Sequence, residues 1–483
     1  MWLQWDIIRL NSVKGTILFK FEYLCRPKCP IRIIMLDLTD GKAWKLLLQF
    51  SIPMLIGNVL MQFYSIADFY IAGNYIGPKA VAAVGSSMPV VFALVSFIIG
   101  ITMGCTVIVS QYFGAKDAVH MKRSVDTVII FIIVAALLMM IVGLILCDPL
   151  LRLVKTPEDV FDGAHTFMKI NLIGLLPLFG VNCLSAILRG IGDSKTPLYC
   201  MLISSAFNIL LLLAFVPGMK WGIAGAAWAT VLTQALTVVG LTLWLNRKHP
   251  VIKITVRRMV FDLEIFRNSV RIGLPNGIQQ ALVAIGMMAL LGIVNKFATV
   301  NSNILVAYSI VNRVDSLAMS PAMSFSIAIA AFVGQNIGAR KLYRISTGLK
   351  ATLIMSTMLT LITSATVLIF AHPIMKMFST EINEEVISIG LRYLFVVCPF
   401  CIFFSTMFVF NGVMRGAGDT LIPMFITLLS LWLVRIPVAS FLSNLMGPDG
   451  IWWSIPIAWT VGMTCSFLYY RTGRWKNKGV IKN

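Results

Sequence analysis

A few side chains able to do chemistry interrupt the long apolar stretches of this 483-residue chain. In the first half they are Asp68, Asn208 and Thr230: a carboxylate, an amide and a hydroxyl. Each offers a hard oxygen, the donor type suited to sodium. The same carboxylate, partly desolvated, has a raised proton affinity and can carry a proton instead. A purely local role for Asp68, as a cap or hydrogen-bonding group near the interface, is the competing reading. The second half has a polar layer of its own: Gln279, Gln280, Asn312, Arg313, Asp315 and Arg435. Asp315 and Arg435 fall at similar depth in their segments. They form either a structural salt bridge or part of a second coupling or gating site. A charge at the centre of a membrane helix costs about 2.5–3.5 kcal/mol on insertion scales, so each of these residues asks for a reason.

The elements that must position them are helices in a bilayer. The chain is 58% hydrophobic and only 12% charged, with a mean hydropathy of +0.87. Soluble domains average near half apolar and a quarter charged. Twelve apolar runs are each long enough to cross a hydrocarbon core. They lie at roughly 46–72, 87–110, 124–147, 164–188, 197–217, 222–245, 270–295, 304–333, 347–371, 388–413, 423–445 and 450–471. Long strands of alternating polarity do not occur, which excludes a membrane barrel. The net charge of +20 comes from basic residues between the runs. Lys116, Lys122 and Arg123 follow the second run, Arg247 to Arg271 the sixth, and Arg340, Lys341 and Arg344 the eighth. Lysine and arginine in alternate loops are a signature of cytoplasmic loops. They place both termini in the cytoplasm and exclude a nucleic-acid partner. The expected location is the inner cell membrane, with the lipid bilayer as the main partner and a monomeric chain.

The two halves repeat. Phe50-Ser51-Ile52-Pro53 answers Ile272-Gly273-Leu274-Pro275. Val109 to Ala115 (VSQYFGA) answers Val333 to Ala339 (VGQNIGA). Leu188-Arg189-Gly190-Ile191-Gly192-Asp193 answers Met414-Arg415-Gly416-Ala417-Gly418-Asp419. Six spans per copy is an even number, so the copies enter the membrane in the same sense and form parallel repeats. The expected organisation is a bundle over 35–249, a cytoplasmic linker over 250–269 and a second bundle with a basic tail over 270–483. Two bundles around a midplane cleft can rock between opposite openings, which favours a transporter. Pro53 and Pro275 each remove a helix hydrogen bond and can serve as hinges.

The Arg-Gly-x-Gly-Asp phrases follow no strand and lack the phosphate-binding glycine spacing. Gly ends one helix and Asp starts the next, so they read as tight turns. Arg189, Asp193, Arg415 and Asp419 could also latch that face by ion pairing. Catalytic motifs are missing, and the four histidines (His120, His165, His249 and His372) sit near span ends, so an enzyme is not expected. Cys398-Pro399-Phe400-Cys401 lies inside an apolar run and reads as packed thiols, not as a redox pair. Residues 1–34 carry no signal-peptide pattern. Met35 is the expected start, with 1–34 a dispensable extension.

Together these motifs resemble the multidrug and toxic compound extrusion (MATE) transporters of prokaryotes. The similarity rests on Pro53, Gln62, Tyr64 and Asp68, on the Gln111-Tyr112-Phe113-Gly114-Ala115 helix end, and on the paired Arg-Gly-x-Gly-Asp turns. It covers about Met35 to Trp475. It implies a V-shaped, twelve-helix antiporter that exports organic, often cationic, small molecules in exchange for protons or sodium ions, with no cofactor. It also implies that Asp68, with Asn208 and Thr230, couples transport to the ion. A second aspartate of that family branch falls on Leu212, which removes a charged ligand and puts a full sodium site in doubt. A glutamate of another branch falls near Val283. A lipid-linked oligosaccharide flippase, of related architecture, is the alternative transporter reading.

Overall fold

The computed structural model describes residues 36–153, 156–378 and 384–481, together with the backbone of a small antiparallel pair, Ser12–Val13 and Thr16–Ile17. Side chains at 63–70, 72–74, 78–82 and several further positions up to 97 lie outside that description. The expected extension over 1–34 and start at Met35 also lie outside it.

Twelve helical spans cross in sequence. Spans one to three are Ala43–Ile76, Pro78–Gly114 and Ala118–Ile145. Span four is a pair, Glu158–Ile173 and Leu175–Gly190, bent by 46°. Spans five and six are Lys195–Gly218 and Gly222–Lys248. Spans seven to twelve are Leu263–Ala298, Asn303–Gly338, Leu342–Ile369, Glu384–Gly416, Leu421–Met446 and Pro448–Arg471. A short helix follows span three (Cys147–Leu153) and another follows span nine (Ala371–Phe378), so the repeat extends to elements too short to read as spans.

Local chemistry explains where these helices differ from the apolar runs. Span seven begins at Leu263 rather than near 270, because the Asp262 carboxylate caps it by accepting from the amides of Glu264 (3.0 Å) and Ile265 (3.2 Å). The expected linker is therefore shorter, and its end runs along span three, where Asp262 N–H donates to Thr127 Oγ1 at 3.0 Å. Span two begins at Pro78, directly after Gly77 at φ +101°. Span one continues to Ile76. Span ten breaks into a 3-10 turn at Cys398–Phe400; both its cysteines are buried and free of a disulfide, and the Cys401 thiol donates to Val397 O. Spans five and eleven each contain a π-helical segment, Ala214–Gly218 and Leu429–Arg435. Pro53 and Pro275 are buried inside helical backbone that continues on either side.

Each half has its own apolar core. In the first half, Val125, Met168, Phe179 and Leu245 join spans three, four and six. In the second, Tyr308, Tyr393, Phe404 and Trp452 join spans eight, ten and twelve. A further cluster crosses between the halves and packs Leu38, Leu47 and Phe50 against Phe332, Leu349 and Phe410. This shared core lies at the face where the basic loops and both described chain ends meet, called here the basic face.

Spans two and eight cross at that face with no room for a side chain. A Cβ on Gly114 would lie 2.0 Å from the Gln335 carbonyl oxygen, and one on Gly338 would lie 1.9 Å from the Gln111 carbonyl oxygen. Spans two and seven are also in backbone contact, at Gly100 and Gly277. The hydrogen bond between the halves farthest from the basic face, among the described residues, joins Asn58 Nδ2 to Ser324 Oγ at 3.0 Å. The halves are thus fastened from the basic face to about mid-depth.

The crossing makes a direct expectation. Gly114→Ala and Gly338→Ala should each force the helices apart and cost about 1–3 kcal/mol. Gly240→Ala, where nothing lies within 4 Å, should be neutral or slightly stabilising. Thermal unfolding of purified protein reads the difference; equal melting temperatures for all three would refute the crossing.

Candidate functional site

Spans five and six carry a polar ladder through the first half. Asn208 is buried, and its Nδ2 donates to Thr233 Oγ1 at 3.4 Å. One turn toward the basic face, the hydroxyls of Ser204 and Thr237 bond to each other. Thr230, the residue expected beside Asn208, instead donates to Ala226 O in its own helix at 3.3 Å. A helical turn explains the difference: Thr233 lies on the same helix stripe, three residues on. Asn208 Oδ1 is buried without a hydrogen-bond partner. A buried unsatisfied acceptor is costly, and it is the kind of atom that a cation or a protonated acid would meet. The Asp68 side chain lies outside the described residues; its backbone lies in span one, about 12 Å before the helix end at Ile76. One turn after it, Ile71 packs with Leu212, Val216, Ala226 and Ala229. Position 212, where a second carboxylate would sit, is therefore part of an apolar layer.

The second half holds its carboxylate differently. Asp315 is buried, and its Oδ2 accepts a hydrogen bond from the Tyr393 phenol of span ten. Tyr393 meets Trp452 edge-on at 5.0 Å between ring centroids, and Tyr308 stacks on the same indole at 5.7 Å. The salt bridge to Arg435, one of the two readings of this pair, is not formed. Arg435 is near enough to act on Asp315 electrostatically, but its Nη1 lies against Met287 Sδ at 3.5 Å. Arg435 ends the π-helical segment of span eleven and is followed by Ile436-Pro437. That bulge changes the register of the helix and turns the guanidinium away from a direct pair. Asp315 Oδ1, Arg435 Nε and Trp452 Nε1 are all buried without hydrogen-bond partners. One acceptor and two donors are thus left over within the same half.

The rest of the expected second layer is dispersed. Gln279 is buried and bridges Thr427 Oγ1 (2.8 Å) and Arg415 Nη2 (3.1 Å). Gln280 is exposed, because adjacent helical residues point to different sides. Asn312 donates to Tyr308 O in its own helix at 2.9 Å, and Arg313 is exposed. Tyr393, Thr233 and Trp452 carry no local signal in the sequence. Each sits in an apolar run, and its partner is remote in the chain.

The Arg-Gly-x-Gly-Asp phrases are turns, closed by the same backbone bonds in both copies. Asp193 N donates to Leu188 O at 2.9 Å and Asp419 N to Met414 O at 3.0 Å, with Gly192 at φ +88° and Gly418 at φ +91°. Asp193 does not pair with Arg189. Its carboxylate caps span five by accepting from Thr196 N (2.9 Å) and Thr196 Oγ1 (2.6 Å). Burial pushes the Asp193 carboxyl up, but the bonds from Thr196 and the facing His249 ring hold it below the usual carboxylate range. Asp419 accepts from the Tyr469 phenol instead of pairing with Arg415. No ion pair among the described residues joins these arginines to these aspartates, so the turn role stands without the ionic latch.

The Asp315 geometry ranks its neighbours. Tyr393→Phe removes the carboxylate's direct donor and should lower stability by about 1–3 kcal/mol. Exchanging Asp315 and Arg435 should not restore function, because the phenol would then face a guanidinium. Thermal unfolding and transport assays of the variants test this; a rescued charge swap would mean that the two charges pair directly.

Comparison with known proteins places this arrangement. A family model described as MatE matches twice, over residues 53–213 and 275–441, each match opening on one of the two span prolines. The chain is 32% identical over 448 residues to the "Probable multidrug resistance protein YoeA" of Bacillus subtilis (strain 168), covering 91% of this chain and 96% of that one. It is 24% identical over 444 residues to the "Probable multidrug resistance protein NorM" of Thermotoga maritima, covering 90% and 94%. Its fold matches a solved structure titled "Outward-facing conformation of a multidrug resistance MATE family transporter of the MOP superfamily", with a TM-score of 0.84, 23% identity, and coverage of 90% of this chain and 97% of that one. With a duplicated twelve-span fold, two family-model matches that together span most of the chain, and relatives matched nearly end to end, the chain belongs to the MatE family, a membrane transporter and not an enzyme.

Proposed function

We propose that this protein is a secondary antiporter that exports organic, often cationic, compounds by alternating access, with inward ion flow through the first half as the driving force. The observation that carries this reading is the one-sided fastening of the halves. They are joined at the basic face by the Gly114 and Gly338 crossing, and as deep as mid-span by the bond from Asn58 Nδ2 to Ser324 Oγ. A cleft closed at one end is one of the two states an alternating-access carrier needs. The density of Lys and Arg on the closed face supports a cytoplasmic position for it in the inner membrane. The names of the relatives support multidrug cargo, as does the "Multidrug export protein MepA" of Staphylococcus haemolyticus, 23% identical over 435 residues.

Asp68 is the only carboxylate on spans one, five and six. One turn after it in span one, Ile71 packs on Leu212, and span five also holds the unpartnered amide oxygen of Asn208. One carboxylate without a second charged ligand favours a proton over sodium as the coupling ion. A proton needs one titrating group, whereas a dehydrated cation needs several oxygens.

Reconstitution into vesicles with an imposed proton or sodium gradient, reading efflux of a cationic dye, tests the proposal. The proton gradient should drive efflux and the sodium gradient should not. Asp68→Asn should reduce driven efflux to the level of protein-free vesicles while the melting temperature stays unchanged. Efflux that ignores both gradients, or an Asp68→Asn variant with normal coupled efflux, overturns it.

A further inference from the structure

Two glutamines, Gln111 and Gln335, occupy matching positions near the ends of spans two and eight, and both are fully buried. Their amides are committed across the boundary between the halves. Gln111 Nε2 donates to the carbonyl oxygen of Gly416 at 3.2 Å. Gln335 Nε2 donates to the carbonyl oxygen of Gly190 at 3.1 Å. Those two glycines are the first glycines of the two Arg-Gly-x-Gly-Asp phrases. Each lies at a helix end, where the last carbonyls have no amide in a following turn to accept from. Each half thus offers an orphan carbonyl to the other half's glutamine.

The acceptor ends of the same glutamines hold the segments that flank the two bundles. Gln335 Oε1 accepts from Leu38 N at 2.9 Å, and Gln111 Oε1 accepts from Val480 N at 2.8 Å. The N-terminal segment is further tied to the second half. Asn336 Nδ2 donates to Leu38 O (3.1 Å), Lys341 Nζ to Thr39 O (3.0 Å) and Arg344 Nη2 to Gly41 O (2.9 Å). Each segment also lies on the turn of its own half. A Cβ on Gly192 would be 2.2 Å from Leu36 O, and one on Gly418 would be 2.8 Å from Lys478 O. Val480 packs beside Val107, Ile108, Ile265 and Ile272, where spans two and seven meet. The two segments share no sequence motif, yet they occupy the same place in the pseudo-twofold arrangement.

We propose that Gln111 and Gln335, with the segments 36–41 and 475–481 as straps, are the latch that holds the basic face closed and so set the balance between the two openings of the cleft. Opening that face separates Gly190 from Gln335 and Gly416 from Gln111. It breaks both glutamine bridges together and strips two buried amides of their partners. The duplicated phrases then have a defined purpose. The first glycine presents the carbonyl, the second makes the turn and leaves room for the strap, and the aspartate closes the turn. The latch rests on the alternating-access reading, but it is detectable without any transported compound.

The test uses full-length protein in nanodiscs with site-specific, bio-orthogonal spin labels. One pair, at Val119 and Tyr343, reports across the basic face, and a second, at Tyr75 and Val300, reports across the opposite face; all four positions are exposed. Pulsed dipolar spectroscopy reads the distance distributions. Gln111→Leu combined with Gln335→Leu should raise the long-distance population at the basic face by roughly threefold or more. The population at the opposite face should shift to shorter distances in step. A chain ending after Lys478 keeps both glutamines but loses the Val480 end of one strap and its bond to Gln111 Oε1, and it should move the same distances in the same direction by less. If the glutamine variant does not fold, the shortened chain alone decides. Unchanged distributions, or broadening at both faces without the reciprocal shift, overturn the latch. Absence of driven dye efflux by the unaltered protein, with the reciprocal shift intact in the variants, counts against the exporter reading, not against the latch.

Discussion

The crossing of spans two and eight is the contact on which the rest of the structure depends. Two helices approach until a single Cβ would collide with the partner's backbone, at Gly114 and at Gly338. In a bilayer there is no hydrophobic force between apolar helices, so association relies on close packing and on hydrogen bonds between helices. Both are concentrated here. The glycines bring the backbones together, and the approach places Gln111 and Gln335 within reach of carbonyls in the opposite half. A bulkier residue at either glycine would separate the halves and deprive both amides of their acceptors.

That contact also explains why the duplication survives most clearly at one face. The helix ends, the Arg-Gly-x-Gly-Asp turns and the crossing glycines act in pairs, each half serving the other, so a change in one copy is felt in both. The polar residues Asn208 and Asp315, deeper in each bundle, bond within their own half. In the first half the polar interior is a ladder of amide and hydroxyls between spans five and six. In the second it is a carboxylate held by a phenol, inside an aromatic cluster.

Much of the fold was legible because membrane spans have a strong one-dimensional signal: long apolar runs, basic loops and a repeated set of turns. The ends of the spans were less legible. Span seven starts earlier because of the cap at Asp262, and span two because of Gly77-Pro78, and both are local signals hidden beside a much stronger apolar one. The polar interior was legible as a set of residues but not as a set of partners. Asn208 was visible, yet its neighbour is Thr233 and not Thr230, a shift of one turn. Asp315 and Arg435 were visible, yet Tyr393 takes the carboxylate, because a π-helical segment in span eleven redirects Arg435.

The sequence by itself determined the medium, the number of spans, the parallel duplication and the kinship, since each follows from composition, run length or order along the chain. Tertiary structure alone decided which polar atoms meet and which face is closed. Gln111 and Gly416, Gln335 and Leu38, and Asp315 and Tyr393 are each remote in the chain. No local pattern couples such pairs. They are brought together by the angle at which two helices cross and by the register of one helix against the next, which depend on every side chain in the contact at once.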